Sequence, residues 1–583
     1  MSFRLIRTVV YIILFAVIVL VFMPSVENEF VDWDDYAFVS ENPHLSAISW
    51  ESLYWMATTF YMDAWHPLTW FSHALDIVLW GMNPSPHRLV NILIHGFNVL
   101  LFCILAMQLQ DVWGERNHGG GTLSPEIKLI AAVTAALLFG VHPLRVESVV
   151  WISERKDVLS ACFFLASLIA YLAYARPGGS GKRRAFYLLS LGFHLLAVLA
   201  KPMAITVPPV LLLLDYYPLD RLDRAHLWNC IREKIPFFLV SAWCVGMNMA
   251  ATWHGSVPLS YVSPEMRMMN AFHSVVFYIR QSILPANLLP FYQMDRGLDY
   301  FSHEFVLSAV IVLGISALCV WRAIRGSRIW LTVWGFFLIT LGPASGLFMS
   351  YRHAMADRYT YVPTMAFWLL LGLGISRVWQ KCADVRLTAV TRAALIVCVI
   401  LLAGFYGATT RDQMKIWKNT ESLWTHLLNN SEYVPDLAYF AMGKILESKD
   451  NLDEAIRYYE TAYSLAPENT RFSGRLAIAL VKKGNEDRGL ALSREVVDKQ
   501  PNNPVAHLNL GRVFMELKRY DEAVTCFQKS LEVSPGYPYG VAMLVASYLK
   551  MERQDEAQEL YRKYKLKGVV LPKLDLDIRS NAP

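Results

Sequence analysis

Charged residues are scarce in this 583-residue chain. Asp, Glu, Lys and Arg make up 18% of it and hydrophobic residues 55%, where soluble domains carry about 25% charged residues. A mean hydropathy of +0.31 excludes one large soluble enzyme. Cysteine is sparse too. The eight cysteines form no CxxC pair and mostly fall in apolar runs, which argues against a zinc module or a disulfide framework. Neither sign of charge dominates, with 54 Lys and Arg against 49 Asp and Glu, so nothing marks nucleic acid as a partner. Gly and Pro, 31 and 27 residues, are ordinary and exclude a fibrous or disordered chain.

The scarcity of charge is uneven. From residue 410 onward there are 25 basic and 24 acidic residues, a soluble composition, whereas 1–409 is mostly apolar blocks. A membrane-spanning helix needs about 20 apolar residues. Eleven segments qualify within a few residues: 8–23, 89–109, 129–142, 158–175, 186–199, 204–217, 236–252, 304–321, 329–347, 359–376 and 393–409. The first follows Arg4 and Arg7 and runs into Met-Pro-Ser-Val-Glu without a small-x-small site, so it reads as an uncleaved anchor. With the N-terminus in the cytoplasm, the inside segments hold 19 Lys and Arg in 75 residues and the outside ones 9 in 145. The positive-inside rule favours that orientation. It makes 269–289 an amphipathic helix lying outside, and puts the chain beyond 409 on the extracytoplasmic side of an inner membrane.

Pro467, Pro501 and Pro535 recur 34 residues apart, with Ala455, Ala523 and Ala557, Gly443 and Gly511, and Tyr459, Phe527 and Tyr561 at matching places. This is the tetratricopeptide pattern, with small residues where two helices touch and a proline after the second. After a lead-in at 410–435, repeats are expected at 436–469, 470–503, 504–537 and 538–571, then a tail at 572–583. Their concave face suits a polypeptide. The expected fold is therefore all-α, a polytopic bundle of about eleven spans followed by a tetratricopeptide solenoid.

The first outside loop, 24–87, has no Lys or Arg but nine acids. Its segment Val31-Asp-Trp-Asp-Asp-Tyr carries Asp34 and Asp35. Crowded carboxylates beside a membrane raise one another's pKa, and such a group can serve as a general base toward a hydroxyl. Asp35 is favoured slightly over Asp34, and the other would cap a helix or bind a neighbouring cation. Further segments of the same face add His66, then His142-Pro-Leu-Arg145-Val-Glu147, Arg155-Lys156, Lys201-Pro and Asp357-Arg358. Arg145, Arg155, Lys156, Lys201 and Arg358 could pair with phosphate oxygens. His66, His142, Glu147 and Asp357 complete the candidate substrate-binding set. His66, His73 and His142 read as structural rather than as metal ligands, since no two have zinc-enzyme spacing.

Together, the Asp34-Asp35 loop, the His-Pro-Leu-x-x-Glu-Ser segment, the Asp-Arg-Tyr-Thr-Tyr-x-Pro segment and the repeat tail resemble the transmembrane and tetratricopeptide-repeat O-mannosyltransferases. The resemblance covers nearly the whole chain. Asp-Arg stands here where Glu-Arg is usual, and the tail is shorter. It implies a C-type glycosyltransferase that moves a sugar from a polyprenyl-phosphate carrier to a hydroxyl of a secreted polypeptide, inverting the anomeric centre. A monophosphate donor needs no metal, whereas a diphosphate donor usually calls for a divalent ion. Two other readings remain open: a glycosyltransferase with a lipid or polysaccharide acceptor, and a membrane-anchored scaffold for envelope assembly.

Overall fold

Helix starts are written locally. Ser2 and Ser124 each accept a hydrogen bond from a first-turn amide, Leu5 N–H and Ile127 N–H, and cap the helices that follow. A computed structural model describes residues 2–116, 123–176, 182–223, 227–252, 263–293, 302–347, 353–381 and 385–566. It divides into two units, Met1–His426 and Leu427–Pro583.

The first unit begins with α1 (Phe3–Phe22), α2 (Trp50–Thr58), α3 (Pro67–Trp80), α4 (Pro84–Arg116), α5 (Pro125–Gly140), α6 (Val146–Val150), α7 (Arg155–Ala175) and α8 (Arg183–Ala200). It continues with α9 (Val207–Tyr216), α10 (Leu227–Thr252), α11 (Pro264–Ile283), α12 (His303–Ile324), α13 (Ile329–Leu341), α14 (Met365–Lys381), α15 (Val385–Ile416) and α16 (Thr420–Asn430). The strands among the described residues are two, Tyr292–Gln293 and His353–Met355, paired antiparallel. The all-α expectation holds apart from that ladder.

Every expected span coincides with a helix, but the count of eleven is not reached. Seven helices are long and apolar enough to cross a membrane, and an eighth span results if Pro125–Gly140 and Pro143–Val150, bent by 62°, count as one. The other three places hold the shorter apolar helices Pro202–Tyr216 and Ile329–Ala344 and the 17-residue α14. At 1.5 Å per residue, these 15–17 residues reach roughly 22–26 Å, less than the ~30 Å hydrocarbon core. Proline ends several runs early, since Pro143 and Pro202 each open a 3-10 turn and Pro343 is the second residue of another, where an α-helix would lose a hydrogen bond. The apolar residues on the outside of the unit are those of a lipid-facing bundle: Ile12, Ile324, Ile400 and Leu401 are all more than 60% exposed. The boundary expected at 409 falls inside α15. The segment beyond it packs on the first loop: Asn28 donates to the carbonyls of Met414 and Trp417, and Trp33 stacks on Trp424 at 5.0 Å.

The second unit contains eight helices among its described residues, in four pairs: Asp436–Ser448 with Leu452–Leu465, Thr470–Lys482 with Glu486–Lys499, Pro504–Glu516 with Tyr520–Val533, and Pro538–Lys550 with Gln554–Leu566. These pairs fall within the four expected repeats. Gly443 and Gly511 sit where a Cβ would come within 2.5 Å of the rings of Tyr459 and Phe527, so close approach within a pair demands glycine. The expected tail, 572–583, lies outside the described residues.

Candidate active site

The breaks in the helices gather the charged residues. Glu154 lies just before α7, Lys201 ends α8, Glu147 lies on α6, and Asp357-Arg358 form the turn leading to α14. Glu154 is the hub. Its Oε1 lies 3.1 Å from Lys156 Nζ and 3.4 Å from Arg358 Nε, and its Oε2 lies 3.2 Å from Lys201 Nζ. Lys201 also reaches Asp157 Oδ1 at 2.5 Å. The Arg358 guanidinium pairs with Glu147, and its backbone N–H donates to Glu147 Oε2 at 2.8 Å. Burying ions costs several kcal/mol each unless they are paired and hydrogen-bonded. A chain so short of charge that concentrates three cations and three carboxylates in one buried network makes that network the candidate functional site.

The two aspartates of the first loop divide. Asp35 is fully buried, and its carboxylate accepts from Val31 N–H at 3.1 Å, Ser153 N–H at 2.9 Å and Ser153 Oγ at 2.6 Å. Burial raises its pKa against the pull of those bonds. Asp34 is half-buried, and its carboxylate takes no hydrogen bond among the described residues. Burial raises its pKa, and the negative charge of Glu154 adds to the rise, while the cations Lys156 and Arg358 oppose it. Asp34 thus borders the ionic network, whereas Asp35 ties the loop to the start of α7.

The remaining candidates separate in the same way. His66 lies at the first turn of α3, near enough for Lys156, Lys201 and Glu154 to act on its charge, and burial holds its pKa down at about 3. It borders the network as a neutral ring. Asp357 accepts from Tyr292 Oη at 2.9 Å, and burial, then Glu147, raise its pKa. His142 caps the turn after α5 through Leu144 N–H and packs on Tyr406 and Trp368. Arg145 donates to Thr360 and Thr364 hydroxyls at 3.0 and 3.1 Å and lies against the rings of Phe139 and Tyr361. Arg155 is spent elsewhere, on Asp76 at 2.5 Å, Asn91 Oδ1 at 2.7 Å and the His87 carbonyl at 2.6 Å. Asp34, Glu147, Lys156, Lys201 and Arg358 therefore come together with His66 at their edge. Asp35, His142, Arg145 and Arg155 brace the surroundings.

Sequence reasoning missed Glu154, Asp157 and Tyr292. A signal for two of them exists: Glu154-Arg-Lys-Asp157 is a run of four charges opening an apolar helix.

A narrow cleft begins at Asp157, Lys201 and Arg358 and passes between α7, α13 and α14, past Phe164, Thr340 and Val362. One turn further along the same three helices, a cavity of about 490 Å³ opens among apolar side chains such as Leu165, Leu168, Phe336, Met365 and Leu369. Phe164 of the cleft and Phe336 of the cavity touch edge to face. The cationic cleft and the hydrocarbon-lined cavity are thus neighbours across the Phe164–Phe336 contact.

Fold and site together define a multi-pass helical membrane protein with a buried ionic site and a tetratricopeptide solenoid. Tetratricopeptide-repeat families match residues 436–469 and 504–537. The chain is similar to Protein O-mannosyl-transferase TMTC1 of Homo sapiens, 26% identical over 503 residues, 76% of this chain and 54% of that protein. It is also similar to Protein O-mannosyl-transferase Tmtc3 of Drosophila melanogaster, 22% identical over 86% of this chain and 57% of that protein. The resemblance drawn from the motifs is the one these comparisons return. The chain spans little more than half the length of these two relatives. A solved structure of MamA from Desulfovibrio magneticus RS-1 overlaps 25% of this chain and 84% of its own at a TM-score of 0.21, a likeness that carries no argument.

Proposed function

We propose that the chain is a membrane glycosyltransferase that moves a sugar, mannose first among the candidates, from a polyprenyl-phosphate carrier to a hydroxyl of a polypeptide. The observation that carries this reading is the buried Lys156–Lys201–Arg358 network at a narrow cleft, with a hydrocarbon-lined cavity adjoining it across the Phe164–Phe336 contact. A lipid-linked sugar phosphate has both parts, an anion for the cations and an isoprenoid chain for the cavity. The names of the relatives support the sugar and the protein acceptor.

In this reading Asp34 is the general base. The acceptor oxygen attacks the anomeric carbon from the face opposite the phosphate, and its proton passes to the Asp34 carboxylate. The bond between the anomeric carbon and the phosphate oxygen breaks, and its electron pair leaves on the carrier phosphate. Arg358 and Lys201 stabilise that charge as it develops, in a site shielded from water. In the free enzyme those cations are held by Glu147, Glu154 and Asp157, so the donor phosphate must displace carboxylates to bind. Glu147 and Asp357 set the orientation of Arg358, and His66 stays neutral beside the acceptor. Asp35 holds the loop. A monophosphate donor requires no metal here, whereas a diphosphate donor would require a divalent ion on the acid-rich loop. The repeats hold the acceptor polypeptide, on the extracytoplasmic face of the inner membrane.

The test is a transfer assay with purified full-length protein, a panel of polyprenyl-phosphate sugars and serine- or threonine-containing peptides. Glycosylated peptide should form from one donor of the panel. Transfer to a glycolipid but not to any peptide would overturn the acceptor assignment. Neither transfer nor donor hydrolysis with any donor would overturn the enzyme reading.

A further inference from the structure

Beside the ionic network, and outside the proposed reaction, three buried side chains converge. His73 and Asp76 lie three residues apart on one face of α3, and His87 lies in the first turn of α4. His73 and His87 have no exposed surface and Asp76 has 3%. One potential ligand atom from each lies within 4.8 Å of the others, and the two imidazole rings are 5.7 Å apart. His87 Nδ1 lies 3.2 Å from Asp76 Oδ2, while both nitrogens of His73 and Nε2 of His87 have no hydrogen-bond partner. Buried polar atoms are almost always satisfied, so three orphaned nitrogens at one point need an explanation.

We propose that His73, Asp76 and His87 form a binding site for a divalent transition-metal ion of the Zn²⁺ class. Two imidazoles and one carboxylate are a donor set that zinc takes readily, leaving a fourth position open. Mg²⁺ and Ca²⁺ prefer oxygen donors. A tetrahedral ion holds its ligand atoms about 3.3–3.5 Å apart, so binding draws the three side chains inward by roughly 1 Å. Arg155 Nη2 and His87 Nδ1 both approach Oδ2 of Asp76, at 2.5 and 3.2 Å. With an ion bound, Arg155 becomes the outer partner that orients the carboxylate. Its positive charge also opposes the cation. The ion would pin the α3–α4 turn to Arg155, and through it to the Glu154–Lys156 segment. The spacing rule set His73 aside because α3 and α4 bring together residues that no local motif links.

The experiment uses the full-length protein in detergent, stripped with chelator and then titrated with Zn²⁺ or Co²⁺. About one equivalent of Zn²⁺ per chain should remain after gel filtration, as the three-ligand site requires. Zn²⁺ should raise the melting temperature, and chelator should reverse the rise. Co²⁺ should give visible d–d bands. His73→Gln and His87→Gln should each lose stoichiometric binding, whereas His44→Gln, an imidazole elsewhere in the loop, should keep it. If the wild-type chain retains no metal and its melting does not respond to Zn²⁺, the site does not exist. Undiminished binding in both glutamine variants would also overturn it. Wild-type titration gives the answer even where a variant fails to fold.

Discussion

Ser153 holds Asp35 twice, through its backbone N–H at 2.9 Å and its hydroxyl at 2.6 Å. This clamp joins the loop after α1 to the start of α7, 118 residues later, and leaves no free lone pair for chemistry on that oxygen's side of the carboxylate. Asp35→Asn should therefore act on stability. An amide N–H facing the Val31 N–H cannot accept, and hydrogen bonds to a buried charged group are worth about 1.5–3 kcal/mol each. Melting of the full-length protein should fall, and Ser153→Ala should lower it in the same direction. Unchanged melting in both would show that the clamp does not hold the loop.

Arg358, like Lys201, pairs with two carboxylates at the cleft mouth. Arg358→Ala should weaken donor binding at least about tenfold, since a charge-assisted contact is worth about 1.5–3 kcal/mol. It also strands Glu147 as a buried unpaired charge, which threatens folding. The double variant Arg358→Ala with Glu147→Gln removes that strain and isolates the binding effect. Donor affinity equal to wild type in the double variant would reassign Arg358 to structure.

Much of this was legible in the residues. Apolar run length located the helices, and the 34-residue proline period located the repeats. Charge scarcity made the outside-loop cations conspicuous. Partnership was not legible. Arg155 and Lys156 are neighbours in sequence, yet one turns to Asp76 on α3 and the other to Glu154. Nothing local distinguishes them, because the choice is made by α3 and α4 packing against α7. The same applies to Asp34 and Asp35, which differ by one step of backbone rotation. Span number failed for another reason: apolar composition does not report that proline has cut Pro202–Tyr216 and Ile329–Ala344 short.

Gly511 offers a test of the repeat unit alone. A methyl group there would lie 2.5 Å from Phe527, and that ring is fully buried. Overpacking costs about 1–3 kcal/mol. Gly511→Ala should loosen the third repeat, visible as earlier proteolysis within 504–537, while donor binding by the membrane unit persists. Unchanged proteolysis would mean that the helix pair yields without cost.

The side of the membrane can be read directly. The positive-inside rule leads one to expect the basic residues of 176–185, 218–234 and 322–328 on the cytoplasmic side. A reporter active only in the cytoplasm, fused after residue 426, should stay dark, and one fused within 176–185 should be active. A bright reporter after 426 would put the repeats in the cytoplasm.

Asp34 carries the sharpest prediction. A general base works ionised, and burial raises its pKa above the ordinary 3.8. The rate should therefore fall as pH drops through that raised value, with the acid limb above the usual carboxylate range. Lys156 is the largest influence opposing the rise, because a cation favours the ionised form. Lys156→Met should move the limb to higher pH, and Glu154→Gln, which removes a repelling charge, should move it lower. Asn is nearly isosteric with Asp but cannot take the proton. Asp34→Asn should cut turnover by about 10²–10⁴ with donor binding and melting close to wild type. Asp35→Asn should show the reverse balance, with stability lost first. Should Asp34→Asn transfer sugar at the wild-type rate, the half-buried carboxylate beside Lys156 is not the base.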